Sequence, residues 1–404
     1  MTGSLTEGDW QDLHRRIERV LAVRDTSTQR QELAVVARRY RRLDDDGRVR
    51  FLRHVATELG VDDAAVRRAA QELLDAPAGD AAAQVSLRRA LTPRFADLLH
   101  LLTGLDGGVK LLVDLRADLR HLARHELPMA ELELTGHLAT LFDVGLLRLD
   151  RITWGSPASL LEKLIRYEAV HEMDGWDDLR DRLDADRRCY AFLHPAMPDE
   201  PVVFVEIALV QGTPTSLGEL LDRDAPVCDP ADADTAVFYS ITSCQRGLAG
   251  INLGNELIKN VVRELRRELP ALERFVTLSP IPSLRAADLG LADDVRTRLA
   301  DDAWLDGDDA ELREALMPAT ARYLTTLVGG RVLDPVANFH LSNGAHVDAL
   351  RWKANTEGYG IERSWGIMAS YRYDPARIAA NAAAYGAGEG VAASDEVRAL
   401  ADRA

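Results

Sequence analysis

Apolar residues recur three or four positions apart through the first part of the chain, which is the spacing of amphipathic helices. In WQDLHRRIERVLAV, the apolar positions are Trp10, Leu13, Ile17, Val20 and Leu21. The same spacing returns in DGRVRFLRHVATEL, VDDAAVRRAAQELL, FADLLHLLTGL and GGVKLLVDLRADLRHLARHEL. Short breaks such as DAPAGD separate these stretches, and no fixed-period repeat joins them. The pattern predicts an all-α helical bundle over residues 1–148, used for packing or oligomerisation.

The pattern changes near residue 148, where short runs rich in Val, Ile, Phe and Tyr appear among helices. These runs are RCYAFLHP, VVFVEIALVQG, AVFYSITS, RFVTLSP and GIMASYRY, bounded by Gly, Pro, Ser or Asp. They predict a mixed α/β domain over residues 149–404, and therefore an α+β chain with the helical bundle first. The Ala/Gly-rich end, ANAAAYGAGEGVAASDEVRALADRA, is expected to form a weakly tied tail or a short helix.

Composition and charge narrow the classes of partner. Lys+Arg 49 against Asp+Glu 65 gives a net charge of -16, which argues against non-specific binding to nucleic acid or to an anionic membrane. Cys189, Cys228 and Cys244 form no CxxC or Cys/His cluster, which argues against a disulfide scaffold and a zinc site. No apolar run approaches the ~20 residues of a membrane span, and the first residues have no signal-peptide character. A cytoplasmic protein is expected.

A glycine-containing loop is the first candidate for chemistry. It joins the strand-like run 237–243 to a predicted helix that begins near Asn255, and its glycines are Gly247, Gly250 and Gly254. Glycines let backbone N–H groups approach an anion, and a helix N-terminus adds unpaired donors and a positive dipole end. The arrangement predicts a pyrophosphate cradle contacted by Arg246, with Lys259 either a further contact or a solvated charge. The spacing is neither that of a Walker loop nor that of a Rossmann fingerprint.

Two further segments carry a hydroxyl and an imidazole. In FVTLSPIPSL, Ser279 ends an apolar run ahead of two prolines, so it is either a strand end before a turn or a hydroxyl held for catalysis. In DPVANFHLSNGA, His340 stands between two apolar residues, and it competes as a catalytic candidate with His171, His194 and His346. The chain has no H-E-x-x-H and no G-x-S-x-G, so neither a zincin nor an α/β-hydrolase is indicated.

Taken together, these segments resemble the malonyl-CoA decarboxylase family. The matching stretches follow the family order over about residues 150 to 373: RITWGSPASLLEKLIRYEAVHEM, RRCYAFLHPAMPDEPVVFVEIAL, FYSITSCQRGLAGINLGNELIKNVVRELRRELP, TLSPIP, DPVANFHLSNGA and GIMASYRY. The N-terminal helices match only in position and character. The resemblance implies a helical bundle used in oligomerisation, commonly towards a tetramer, followed by a catalytic domain of the GNAT acetyltransferase type.

The resemblance also implies roles for single residues. The catalytic serine of the family falls on Ser279 and its catalytic histidine on His340, which would form a Ser–His dyad. A further site tyrosine falls on Tyr373, expected as a polar wall of the carboxylate pocket. The CoA-binding loop falls on Arg246, Gly247, Ala249, Gly250, Ile251, Asn252, Leu253, Gly254 and Asn255. No metal or organic cofactor is implied, because the CoA thioester is the substrate.

The reaction implied is decarboxylation of malonyl-CoA, or of a close analogue such as methylmalonyl-CoA, to acetyl-CoA or propionyl-CoA and CO2 through a stabilised thioester enolate. An unperturbed imidazole pKa of about 6.5 would suit His340 to proton exchange near neutral pH. The alternative is a GNAT-type acyltransferase, or a decarboxylase that acts with an acyl carrier protein in polyketide biosynthesis. A third class is a catalytically silent, CoA-binding oligomer.

Three departures from the family pattern bear on the acyl group. The family turn SPIPGF reads SPIPSL here, which places Ser283 and Leu284 beside the candidate serine. The frequent Asn-Trp pair after the histidine motif reads Arg351-Trp352, so Arg351 either reaches the site or turns to solvent. The interval from Ser279 to His340, 340 − 279 = 61 positions, is shorter than usual.

Overall fold

The computed structural model describes residues 6–23, 25–123, 126–251, 253–300, 302–305 and 309–403. The chain forms two compact units. The first comprises Met1–Arg148, Leu193–Pro201 and Gln245–Leu253, and the second Leu149–Phe192, Val202–Cys244 and Gly254–Ala404. The first break along the chain thus follows Arg148, but two short later segments also belong to the first unit. The predicted division into an oligomerisation domain and a catalytic domain stays a prediction.

The first unit is helical. Its α-helices within the described residues are α1 (Glu7–Ala22), α2 (Thr26–Tyr40), α3 (Asp45–Glu58), α4 (Asp63–Asp75), α5 (Ala81–Ala90), α6 (Arg94–Thr103), α7 (Gly108–Leu122) and α8 (Pro128–Leu141). In α1 the predicted apolar face is buried at Trp10, Leu13, Ile17 and Val20, and Leu21 is half-buried. Burial of such a face stabilises a helix more than its intrinsic propensity does.

Acidic residues begin four successive helices of the first unit. The side chains of Asp25, Asp44, Asp62 and Asp80 accept backbone N–H groups at the starts of α2, α3, α4 and α5. Each such cap satisfies donors that the helix leaves unpaired and contributes about 1 kcal/mol. Part of the negative charge of the chain therefore defines where helices start.

The remaining elements follow in chain order, with short 3-10 turns at Val144–Leu146, Arg246–Leu248 and Asp302–Leu305. They are β1 (Arg148–Ile152), α9 (Ala158–Tyr167), α10 (Trp176–Asp181), β2 (Arg187–His194), β3 (Met197–Val210), α11 (Leu217–Leu221), β4 (Thr235–Ser243), α12 (Gly254–Glu268), β5 (Arg274–Thr277), β6 (Ser279–Pro280), α13 (Asp293–Leu299), α14 (Ala310–Thr325), α15 (Pro335–Ser342), β7 (His346–Arg351), α16 (Gly358–Ser364), β8 (Met368–Arg372), α17 (Ile378–Gly386) and α18 (Asp395–Ala401). All five strand-like runs of the sequence lie on strands, whereas β1 and β7 were not predicted.

The strands pair into one mixed sheet in the order β1-β2-β3-β4-β5-β8-β6, and β7 also pairs with β8. Strands β4 and β5 are parallel over four residue pairs, from Thr235↔Arg274 to Phe238↔Thr277. Strand β8 runs antiparallel to β5, β6 and β7. Ligands of α/β sheets bind beyond the carboxyl ends of parallel strands, and Ser279 lies two residues after the end of β5.

The C-terminal segment is tied to the sheet, so the expectation of a weakly tied tail was wrong and that of a short helix was right. The amide of Val347 in β7 donates to the carbonyl of Ala392, and the amide of Ser394 donates back to Val347, each at 2.9 Å. Val397 of α18 is fully buried. The segment thus satisfies backbone groups of β7 that an edge strand would leave open.

The observed architecture confirms the predicted fold class of a helical N-terminal part followed by a mixed α/β part. Among the described residues, no helix combines the length and the apolar character that crossing a membrane requires. Cys189, Cys228 and Cys244 are all free thiols.

Candidate active site

Ser279 is placed by the end of one strand and the pairing of another. Strand β5 ends at Thr277, and the amide of Leu278 still donates to the carbonyl of Phe238, at 3.1 Å. Ser279 and Pro280 then form β6, in which Ser279 pairs with Ala369 of β8. Because side chains alternate along a strand, Thr277 and Ser279 point to the same face of the sheet. The side chain of Ser279 is buried.

His340 is placed by the start of α15. Asp334 is the N-cap of this helix, and its Oδ1 accepts the amides of Val336 at 3.0 Å and Ala337 at 2.9 Å. Its Oδ2 accepts the amide of Ser283, at 3.1 Å. One fully buried carboxyl group therefore ties the turn that follows Ser279 to the helix that carries His340.

The structure brings Ser279, His340 and Tyr373 into one hydrogen-bonded row. Ser279 Oγ lies 3.1 Å from Nε2 of His340, and Nδ1 of His340 lies 2.8 Å from the hydroxyl oxygen of Tyr373. Ser279 Oγ donates to Oγ1 of Thr277 at 2.9 Å, and this oxygen also accepts the amide of Tyr371 at 3.1 Å. Because Ser279 has a single proton, this network assigns Nε2–H of His340 as the donor to Ser279 and Nδ1 as the acceptor from Tyr373.

Burial sets the protonation state of the row. The ring of Tyr371 stacks on the imidazole of His340 with centroids 4.5 Å apart, and His340 is 2% exposed. Burial lowers the pKa of His340 to about 3, because a charged imidazolium would lose its hydration. Burial also raises the pKa of Tyr373 well above its usual range. The expectation of an imidazole titrating near neutral pH was therefore wrong: His340 is neutral at rest.

Residues 246–253 of the predicted CoA-binding loop belong to the first unit, whereas Gly254 and Asn255 belong to the second. Among the loop residues Arg246, Ala249 and Gly250 are exposed, Ile251 is half-buried, and Gly247 and Leu253 are buried. Helix α12 begins at Gly254 and includes Asn255, and Asn252 lies outside the described residues. Gly247 is required for close packing, because a Cβ there would lie 1.8 Å from the carbonyl oxygen of Val113 in α7. Gly250 has a φ of 85°, which favours glycine.

The structure also places the residues whose roles the sequence left open. Lys259 forms an ion pair with Glu256 of the same helix, α12, at 3.2 Å, and both side chains are half-buried. Arg351 pairs with Met368 across β7 and β8 and lines a surface cavity with Arg313 and Glu396.

Leu284, which stands where the family has phenylalanine, is fully buried. The amide of Ser283 donates to Asp334. The two departures from the family turn, Ser283 and Leu284, therefore lie at residues that hold this turn in place.

The competing histidines have other partners. His194 lies with Nε2 3.1 Å from the carbonyl of Leu141, and His346 with Nε2 3.4 Å from Asp348. His171 is buried, and burial together with the Arg182 guanidinium lowers its pKa to about 4. Of the four candidate histidines, His340 is therefore the one that forms a hydrogen bond with Ser279.

Sequence reasoning missed Thr277 and Asp334, although each had a local signal. Thr277 stands two positions before Ser279, which is the spacing of strand residues on the same face. The Asp-Pro pair at Asp334 is the usual start of a helix, with the cap followed by proline at the first helical position. What the sequence does not show is that the second oxygen of Asp334 binds the amide of Ser283, which lies 51 residues earlier.

A buried ionic cluster was also missed. Glu168 accepts the amides of Val170 and His171 and the hydroxyls of Ser240 and Thr242 of β4. Glu206 of β3 lies 3.1 Å from Arg182, and burial raises the pKa of Glu206 to about 8. These carboxylates stand in loops and strands that look apolar or unremarkable in the sequence. Their pairing depends on contacts across the sheet.

Comparison with protein-family models gives two matches. Residues 145–404 match the malonyl-CoA decarboxylase C-terminal domain, and residues 59–143 match the malonyl-CoA decarboxylase N-terminal domain.

Individual relatives agree with these family models. The mitochondrial malonyl-CoA decarboxylase of Anser anser anser is 35% identical over 357 residues, which are 78% of this chain and 71% of that protein. The mitochondrial malonyl-CoA decarboxylase of Mus musculus is 34% identical over 365 residues, covering 79% of this chain and 73% of that protein.

Solved structures give the same result. The crystal structure of malonyl-CoA decarboxylase from Rhodopseudomonas palustris has a TM-score of 0.89 at 37% identity, and that from Agrobacterium vitis has 0.91 at 35%. Each comparison covers 96% of this chain and 99% of the other.

Proposed function

The chain belongs to the malonyl-CoA decarboxylase family and is a carboxy-lyase that decarboxylates malonyl-CoA, and from this premise we propose that Ser279, His340 and Tyr373 carry the proton transfer. The 3.1 Å contact between Ser279 Oγ and His340 Nε2 is the observation that supports this assignment. A serine hydroxyl alone is a poor acid, and an adjacent imidazole makes proton transfer from it feasible.

The reaction breaks the bond between the α-carbon and the carboxylate of the malonyl group. CO2 leaves, and the bonding electrons enter the thioester as an enolate, whose oxygen gains negative charge. Hydrogen-bond donors fixed where this charge develops lower the barrier, by roughly 3–4 kcal/mol for each donor tested by deletion. One proton added to the α-carbon then gives acetyl-CoA, so the net reaction consumes one proton.

The hydrogen-bonded row supplies that proton in one direction. Ser279 gives its proton to the α-carbon, and Nε2–H of His340 returns a proton to Ser279 Oγ. Nδ1 of His340 receives the proton of Tyr373 in the same movement. After product release the shift reverses, Tyr373 and Nε2 of His340 regain their protons, and Ser279 Oγ takes up from solvent the one proton that the reaction consumes. Because His340 is neutral at rest, it accepts at one nitrogen while it donates at the other and does not have to become an imidazolium. Tyr373 is then a member of the relay, which differs from the carboxylate wall expected from the sequence.

The CoA part of the substrate is assigned to the loop before α12. Arg246 is exposed and supplies a cation, and exposed Ala249 and Gly250 present backbone without a bulky side chain. A helix N-terminus follows at Gly254, and helix N-termini favour phosphate groups. We assign the pyrophosphate to this loop. A chemistry of this kind needs neither a metal nor an organic cofactor, and that expectation stays a prediction.

Self-association is part of the proposal. Helices α4 and α5 expose Leu74, 79% accessible, and Val85, 48%, and Leu91 follows α5 with 46%. Apolar side chains this exposed and this close in the chain are typical of surfaces covered by another protein. These residues support a homo-oligomer, for which the family resemblance implies a tetramer. Action on an acyl carrier protein and a cytoplasmic location stay predictions.

The test is an assay of malonyl-CoA and methylmalonyl-CoA that follows CO2 release and CoA products by mass spectrometry. Acetyl-CoA is expected without any added acceptor, and propionyl-CoA reports whether the analogue is also used. Ser279→Ala and His340→Gln should each lower kcat by at least about 100-fold, the scale of general acid–base catalysis, while leaving the Kd for CoA unchanged. His346→Gln is the control and should retain kcat.

Two outcomes would contradict the proposal. Acyl transfer that requires an amine or a carrier protein would replace decarboxylation as the function. Near-normal kcat in both Ser279→Ala and His340→Gln would remove the dyad from the mechanism.

A further inference from the structure

Arg116 of α7 is a buried cation that the proposed mechanism does not use. It is 2% exposed, and all its donor nitrogens have partners. Nη1 donates to the carbonyl oxygens of Gly247 at 2.6 Å and Ala249 at 3.0 Å. Nη2 donates to Glu131 at 3.0 Å, and Nε donates to the hydroxyl of Thr135 at 3.1 Å. The guanidinium group of Arg116 therefore links α7 to the loop within the first unit.

The burial of this charge depends on the loop. A buried guanidinium loses its hydration and is tolerated only where acceptors replace the lost water. Glu131 supplies one charge, and the two loop carbonyls supply two of the remaining acceptors. The dependence is mutual, because the carbonyls of Gly247 and Ala249 can meet one guanidinium only if the backbone between them keeps its conformation. The close packing of Gly247 on the carbonyl of Val113 restricts the same stretch of loop backbone.

The hydrogen bonds from Arg116 to the carbonyls of Gly247 and Ala249, which we call the clamp, fix the direction of the Gly250 amide. In a trans peptide the C=O and the N–H point in opposite directions. With its carbonyl turned to Arg116, the Ala249–Gly250 peptide directs the amide of Gly250 away from α7. Within the described part of the chain this amide donates to no backbone acceptor. Gly250 is exposed, and a Cβ there would meet nothing within 4 Å. An open backbone amide of this kind can donate to an oxygen of a bound anion.

We propose that Arg116 is a positioning residue for binding of the CoA pyrophosphate, which acts by holding the loop carbonyls so that the amide of Gly250 faces the ligand. The proposal rests on the proposed role of the loop in CoA binding and extends it to the helical unit. Arg116 does not contact CoA in this account. The affinity of the enzyme for CoA is set in part by a residue that lies 131 positions before the loop carbonyl it binds.

The experiment compares two substrates in four proteins. Arg116→Gln combined with Glu131→Gln removes the clamp without leaving a lone buried charge, and Glu131→Gln alone keeps the clamp. Arg120→Gln is the matched control, because Arg120 also donates to Glu131, at 3.0 Å, but has no hydrogen bond to the loop within the described residues. The substrates are malonyl-CoA and the malonyl thioester of N-acetylcysteamine, which lacks the pyrophosphate.

The double variant should raise KM for malonyl-CoA and Kd for CoA about tenfold, with kcat within twofold of the wild type. Its kcat/KM for the short thioester should be unchanged, whereas general damage to the fold would lower kcat/KM for both substrates. Glu131→Gln and Arg120→Gln should keep kcat and KM within twofold of the wild type, although Glu131→Gln should lower the unfolding temperature, because buried Arg116 loses its carboxylate partner. If the double variant unfolds, Arg116→Lys keeps the charge but loses the planar fork, and it should give the same selective rise in KM.

Two results would overturn the inference, and they differ in what else they remove. Equal KM values for malonyl-CoA in the double variant and in Glu131→Gln would refute the clamp while the proposed role of the loop survives. A wild-type enzyme that uses both thioesters with equal kcat/KM would refute pyrophosphate recognition and the clamp with it.

Discussion

Thr277 controls the direction of the Ser279 hydroxyl, the proposed catalytic group. Its Oγ1 accepts the proton of Ser279 and the amide of Tyr371, so one oxygen fixes both the serine rotamer and the position of β8 beside it. Hydrogen bonds of this kind are made before substrate binds, and they spare the enzyme the cost of orienting the hydroxyl during the reaction.

Thr277→Val should lower kcat about tenfold and leave KM for malonyl-CoA within twofold. The valine keeps the shape of threonine, but Ser279 loses its acceptor and the buried amide of Tyr371 loses its partner, which costs about 1–3 kcal/mol. Steady-state kinetics and thermal unfolding measure the two effects. Thr277→Ser retains the side-chain oxygen and should therefore keep kcat near the wild-type value.

The control for this substitution is Thr320→Val. Thr320 is fully buried, and its hydroxyl has no partner among the described residues. It should unfold at the wild-type temperature or above and should keep kcat. Equal kcat in Thr277→Val and wild type would show that the threonine oxygen does not position Ser279.

At the scale of elements, the proposed active site depends on one cap. Helix α15 and the proline turn after Ser279 both bind Asp334, so the N-cap joins the segments that carry the two members of the proposed dyad. Burial raises the pKa of Asp334, and the amides of Ala337, Ser283 and Val336 oppose that rise. One carboxyl oxygen of Asp334 accepts from the start of α15, and the other accepts from the turn after Ser279.

Asp334→Asn should lower kcat by about tenfold to a hundredfold, because an amide keeps one acceptor for the helix but turns a donor toward the amide of Ser283. Displacements of about 1 Å near reacting groups have effects of this size. Steady-state kinetics with malonyl-CoA test the change.

Asp62→Asn is the matched control, since Asp62 caps α4 through Ala64 and Ala65 in the same way, with no link to a catalytic turn. Asparagine caps helices about as well as aspartate, so this control should keep both kcat and stability. An Asp334→Asn enzyme with wild-type kcat would reduce the cap to a local helix feature.

The spacing of apolar residues predicted the helices and strands of this protein better than it predicted the contacts of the candidate site. Buried faces such as that of α1 and the five strand-like runs follow from local spacing, which burial enforces residue by residue. Strand β7 was missed because HVDALR mixes polar and apolar residues without a clear run. Thr277 and Asp334 each have a local signal, but the contacts of Thr277 with Tyr371, of Asp334 with Ser283 and of Arg116 with the loop join distant segments that no local pattern encodes. Ser279, His340 and Tyr373 were found through family resemblance.

At the scale of the whole molecule, buried histidines make stability depend on pH. The unfolded chain binds protons on His171 and His340 below a pH of about 6.5, whereas the folded pKa values lie at about 4 and about 3. The free energy of unfolding therefore falls as the pH is lowered from 6.5 through this window, since the unfolded state binds more protons. Glu206, whose folded pKa is raised to about 8, contributes in the opposite direction.

His171→Asn isolates one of these contributions. The asparagine amide can replace the hydrogen bond of the imidazole to the backbone of Tyr239 and does not titrate. Between pH 4.5 and 6 the variant should lose up to one proton of linkage, roughly 1.4 kcal/mol per pH unit, from the slope of its unfolding free energy. Urea unfolding at several pH values measures the slope. Identical slopes in the variant and the wild type would show that the pKa of His171 is the same in the folded and unfolded states.

The discontinuity of the first compact unit limits how this enzyme can be taken apart. The chain leaves that unit after Arg148 and returns to it twice, at Leu193–Pro201 and Gln245–Leu253. A gene fragment that starts at residue 149 would encode the proposed CoA-binding loop but not α7, whose Arg116 donates hydrogen bonds to that loop. The two segments matched by separate family models, residues 59–143 and 145–404, are thus not interchangeable modules. Recombination between relatives would have to exchange α7 and the loop together to preserve a working enzyme.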